Sequence, residues 1–145
     1  MIKFILICLA LMPRQVFANF TGTFAGHGQA TMHPKEKVRS CTNIYFQIEQ
    51  TDTQLHVIAA GYQCQDLEAE FPEFTMDIKG DQLVSDAGAV GTITESEITL
   101  YTENVDEDFT YKMQLLKVND TIQFLENWTD GGTPALTVQG TMKGR

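Results

Sequence analysis

At 145 residues, 43% hydrophobic and 20% charged, the chain is long enough for one domain with a sizeable core and too apolar to stay disordered. A formal charge of −9 argues against a surface that tracks phosphates, so nucleic acid is not an expected partner. Four prolines and eleven glycines fit neither a collagen nor a low-complexity composition.

The first eighteen residues read MIKFILICLALMPRQVFA. Lys3 supplies a positive start, Phe4 to Met12 is an apolar run, and Val16-Phe17-Ala18 places permissive residues before a cut. That is the pattern of a cleaved secretory signal. The run falls short of the roughly 20 apolar residues of a membrane helix, and no second candidate follows. Cleavage removes Lys3 and Arg14 but no acids, taking the formal charge to −11 on a single domain, residues 19–145. A secreted or periplasmic location follows as an expectation. Cys8 leaves with the signal, and Cys41 and Cys64 remain to form one structural disulfide.

The mature chain is patterned for strands. Phe20 to Met32 reads as the first. From Cys41, Ile44, Phe46 and Ile48 alternate with polar residues, and after a turn at Asp52-Thr53 so do Leu55, Val57 and Ala59. A hairpin centred on that turn sets Ile48 against Val57, Phe46 against Ala59 and Cys41 against Cys64. In this register the disulfide lies on the outer face, opposite Ile44 and Phe46. Phe74, Met76 and Ile78 alternate up to a turn at Gly80. Leu83 to Thr94 and Glu97 to Thr102 read as two further strands, with a turn near Glu95-Ser96. Phe109, Tyr111, Met113 and Leu115 lead to a turn at Asn119-Asp120. Ile122, Phe124, Glu126 and Trp128 follow, then the Asp130 to Thr133 loop and a last strand through Leu136, Val138, Gly140 and Met142. No segment has a helical period. Eight to ten short strands in sequential hairpins predict an all-β, antiparallel up-and-down barrel, with a β-sandwich as the alternative.

Asn19 to Pro34 reads NFTGTFAGHGQATMHP. Its Gly22-Thr23-Phe24 resembles the G-x-W opening strand of the calycin barrels (lipocalins, fatty-acid-binding proteins, avidins). The spacing of Gly22, Phe24, Gly26 and Gly28 is also similar to the opening of nitrobindin-like haem barrels. The resemblance implies a small ligand-binding barrel. Phe24 stands where tryptophan is usual, and Lys143 or Arg145 would supply the basic cap on its ring. The haem-ligating histidine of nitrobindin-like chains comes from the C-terminal part, and the last histidine here is His56, so no haem or other cofactor is expected.

His27, His33 and His56 lack the spacing of a zinc pair, and no metal site is expected. His56 and His27 read as surface residues, His27 with the option of pointing inward between its glycines. The turn at Asn119-Asp120 pairs Leu115 with Phe124, Met113 with Glu126 and Tyr111 with Trp128. Glu126 thereby falls on a face made of Phe109, Tyr111, Met113, Phe124 and Trp128. A buried unpaired carboxylate costs several kcal/mol or becomes neutral. Glu126 therefore has an internal partner such as Tyr111, or anchors a ligand, or the register differs. The acidic runs Glu68 to Glu73 and Glu103 to Asp108 read as solvated turns rather than calcium loops. Lys35, Lys37 and Arg39 form the one basic cluster, between the first two strands. Three N-x-T sequons, at Asn19, Asn119 and Asn127, matter only in a host that glycosylates them.

No nucleophile motif or phosphate loop is present, so an enzyme is not the first expectation. The leading expectation is a barrel that binds an apolar or amphipathic small molecule through Phe109, Tyr111, Met113, Phe124 and Trp128, oriented by Glu126. The alternative is an acidic protein-binding module with a basic partner, such as an inhibitor of a cationic enzyme like lysozyme.

Overall fold

The computed structural model describes residues 19–104 and 106–145. The signal expected over residues 1–18 lies outside them. The strands are β1 (Gly22–Met32), β2 (Lys37–Gln50), β3 (Gln54–Cys64), β4 (Leu67–Phe71), β5 (Phe74–Lys79) and β6 (Gln82–Ser85). They continue as β7 (Gly88–Ile93), β8 (Glu97–Asn104), β9 (Phe109–Val118), β10 (Thr121–Asp130) and β11 (Thr133–Gly144). Every pairing is antiparallel, and β1 joins both β2 and β11, which closes the sheet. β4 and β5 pair with β3 in one continuous register, Ala60 with Phe71 and Val57 with Phe74. They are one strand broken at Pro72-Glu73, where proline has no N–H to give the ladder. The result is a ten-stranded up-and-down barrel. No helix among the described residues is long and apolar enough to cross a membrane.

In the strands themselves, the structure departs from the sequence reading at three places. The acidic run expected as a turn contributes β4, with Glu68 and Glu70 outward and Leu67, Ala69 and Phe71 turned toward the core. Leu83 to Thr94 is a hairpin rather than one strand. Ser85 Oγ accepts from the Ala87 N–H, and Gly88 takes a φ of 104° that side chains resist.

The third departure has the largest consequence. Near the Asp52-Thr53 turn the β2–β3 register is the expected one, with Ile48 opposite Val57. An extra residue on β3, Ile58, then slips the pairing so that Phe46 meets Ala60 rather than Ala59 and Ile44 meets Tyr62. An extra residue on β2, Thr42, restores it, and Cys41 again meets Cys64. Because side chains alternate, each bulge reverses which residues face inward. Tyr62 is turned into the barrel, and so is Cys41, 2% exposed, against the outward disulfide expected from an unbroken ladder. His27 points outward, and its Nδ1 donates to the Thr42 carbonyl at 2.9 Å, giving the bulged backbone a partner.

The core differs along the barrel axis. At the end that carries the β2–β3, β5–β6, β7–β8 and β9–β10 turns, Phe20, Leu55, Leu83, Ile93, Ile98, Leu115, Ile122 and Met142 are all but inaccessible. Gly28 and Gly140 face each other across β1 and β11, and a Cβ on either would overlap Ile44 Cδ1. This notch admits Ile44 to the core. The ring that carries a basic cap is Phe20, with Lys117 Nζ 5.9 Å from its centroid, rather than Phe24 beneath Lys143 or Arg145. Phe24 packs against the core edge instead.

Candidate functional site

At the opposite end the barrel is not filled. The β6–β7 hairpin has strands of four and six residues, against eight to twelve for β8 to β11. β6 pairs with β5 only from Asp77 to Lys79, so β4 and the start of β5 have no neighbour on that side. The wall is low there. Beneath it is a cavity of about 460 Å³ open to solvent. Phe71, Pro72 and Phe74 flank the strand break on one side, and Val90, Leu100 and Thr102 stand across from them. Phe109, Tyr111, Met113 and Trp128 form the β9–β10 wall, and Phe46 lies below. No lining side chain is charged.

The β9–β10 register is the one the sequence predicts, Tyr111 with Trp128, Met113 with Glu126 and Leu115 with Phe124. Of the six candidate residues, Phe109, Tyr111, Met113 and Trp128 line the cavity together. Phe124 lies deeper, its ring 5.4 Å from Phe46 and 6.4 Å from Tyr62, in the packed interior. Glu126 is wholly buried on the inward face of β10, between Phe124 and Trp128. Its Oε1 accepts from Tyr62 Oη at 3.0 Å and from Trp128 Nε1, and its Oε2 accepts a long bond from Tyr111 Oη at 3.5 Å. Tyr111 is the partner the sequence suggested. Tyr62 is the one it missed, because an unbroken β2–β3 ladder turns that ring outward.

Burial pushes the Glu126 carboxyl above the ordinary carboxylate range, and the donors from Trp128, Tyr62 and Tyr111 oppose that rise without cancelling it. Both tyrosine hydroxyls are pushed up, first by burial and then by the neighbouring Glu126 charge, so they remain donors. The carboxylate thus holds the polar edges of Trp128 and Tyr111 and leaves their ring surfaces to the cavity. Phe109 completes a corner: its centroid is 5.1 Å from that of Trp128 with planes at 59°, and Tyr111 meets Trp128 at 4.9 Å and 73°.

The other singled-out residues lie elsewhere. His56 is on the outer face between Glu73, 2.7 Å from its Nε2, and Glu49. Arg39 pairs with Asp66 at 2.6 Å across the β3–β4 turn, leaving Lys35 and Lys37 exposed. Among the described residues no three His, Cys, Asp or Glu side chains converge as metal ligands. Comparison with known proteins finds no matching family model and no matching curated sequence.

Proposed function

We propose that this small barrel binds an apolar or amphipathic small molecule in the cavity between the β4–β5 break and the β9–β10 wall. One observation carries the reading. A chain able to pack its other end solid leaves Phe71, Phe74, Phe109, Tyr111 and Trp128 half-buried around a hole of ligand size. Phe109, Tyr111, Met113 and Trp128 contact the ligand in this reading, and Glu126 fixes two of those rings by their polar edges. The closed ten-strand meander and the Gly22-Thr23-Phe24 opening support a calycin-like kinship. The Cys41–Cys64 bridge supports work in an oxidising compartment, secreted or periplasmic.

A native mass spectrum of the protein purified gently from its own host tests the reading. The expected result is a reproducible non-covalent adduct that is lost in Phe109→Ala and Trp128→Ala while both variants stay folded. An adduct that survives both substitutions would move the ligand to another site. A bare protein that instead retains a basic protein partner, released by salt, would favour the acidic binding module.

A further inference from the structure

We propose that the ligand of this cavity is a hydrophobic cation, an ammonium or amidinium group on an apolar body, seated in the Phe109–Tyr111–Trp128 corner. The proposal rests on the small-molecule reading above and specifies its chemistry. Three rings meeting at 59° and 73° form walls rather than a stack, so a compact group in the corner meets several π surfaces. A cation within about 6 Å of such ring centroids is attracted by their quadrupoles, most strongly where water is excluded.

Glu126 adds direction to that preference. It is the one charged-type side chain wholly buried among the described residues, and it receives the indole N–H and the Tyr111 hydroxyl. In its ionised form, a carboxylate accepting from the edge of a ring enriches the ring face, and its field reaches the corner through the water-poor interior. A ligand anion would find no lysine or arginine among the lining residues. The turns around this end of the barrel add exposed Asp86, Glu103, Asp106, Asp108 and Asp130, which raise the local concentration of cations. Against these five acids, the β1–β2 turn at the same end exposes Lys35 and Lys37, and Arg39 is occupied by Asp66, so acids remain in excess.

Calorimetric titration with three probes that share a ten-carbon chain, each kept below its micelle or solubility limit, tests the inference: decyltrimethylammonium, decan-1-ol and decanoate. Trp128 is the sole tryptophan, so its fluorescence reports whether a probe enters the corner. Decyltrimethylammonium is expected to bind at least tenfold more tightly than decanol, and decanoate more weakly than either. In Glu126→Gln, which keeps the shape, the ratio of ammonium to decanol affinity should fall to threefold or less, whatever the change in decanol affinity itself. A purely structural role for Glu126 would change both probes alike, and that outcome overturns the proposed part of Glu126 in cation selection. Decanol or decanoate binding as tightly as the ammonium overturns the cation proposal and leaves the small-molecule reading intact. Binding by none of the three, with Trp128 fluorescence unmoved, overturns both.

Discussion

The two ends of the barrel are built from the same ten strands and packed to opposite purposes. At one end Phe20, Leu55, Leu115, Ile122 and Met142 interlock with almost no exposure. At the other, bulkier aromatic residues stand half-buried around an opening. Apolar content does not separate the two; wall height does. The short β6–β7 hairpin and the break at Pro72-Glu73 deny the second end its last layer of neighbours, so the same hydrophobic alternation that seals one mouth furnishes the other. Stability and recognition are therefore carried by different residues along a shared set of strands.

The largest expected effect comes from breaking the sealed end. Phe20→Ala removes a fully buried ring and should cost about 3–5 kcal/mol in urea unfolding. Trp128→Ala, at the open mouth, should cost less than half as much. Equal losses would mean that the two ends share the load. The disulfide comes next. Cys41→Ala with Cys64→Ala frees a loop with a sequence separation of 23, worth about 3 kcal/mol in the chain-entropy model, read as a lower thermal midpoint.

Glu126 sharpens the comparison because it is a polar residue wholly buried behind the open end. Glu126→Ala strands three donors and leaves a void, for a loss of about 2–3 kcal/mol. Glu126→Gln should cost less than about 1 kcal/mol near pH 5, since its amide can keep those partners. Their pH profiles should differ in a defined direction. The folded carboxyl is pushed above its unfolded value, so folding favours the protonated form. Its contribution is complete below the unfolded value, about 4.5, and is lost as pH rises through the folded one. The parent should lose ground to Glu126→Gln as pH is raised from 4 to 8, and parallel profiles would refute the shift. Neutralising Glu103, Asp106 and Asp108 together should move stability by no more than about 0.5 kcal/mol. Its effect should appear instead as a weaker salt dependence of cation binding.

Much of this architecture was legible in the sequence, for a physical reason. Where a tight turn fixes the centre of a hairpin and both arms alternate cleanly, register follows, as in the β9–β10 pair and its placement of Glu126 among aromatic rings. The failures occur where alternation is interrupted. Ile58 and Thr42 are ordinary strand residues, and nothing in their identity marks an extra position; only the inward cysteine and tyrosine that result reveal it. The two slips cancel, so Cys41 opposite Cys64 fits either reading. β4 was hidden because its outward glutamates resemble a solvated turn, and the β6–β7 hairpin because its arms are only four and six residues long, too short for alternation to mark two strands despite the Ser85-Asp86-Ala87-Gly88 turn residues. The cavity was out of reach for the same reason, since it depends on how short that hairpin is.

The seam between β1 and β11 bears on the order in which the molecule assembles. Every other junction joins consecutive strands and can form as soon as both have emerged, whereas Phe24 finds Gly144, and the Arg145 N–H finds the Thr23 carbonyl, only after the rest of the meander exists. Contacts so distant in sequence are slow to form, and closure is the step that waits for them. The cavity's aromatic corner belongs to β9 and β10, one strand away from that seam. Its register is set by a local turn, so it can take shape before the ring is complete. A ligand present during folding would meet a formed corner in an open sheet, and opening the finished barrel at β1–β11 would disturb the Ile44 notch first.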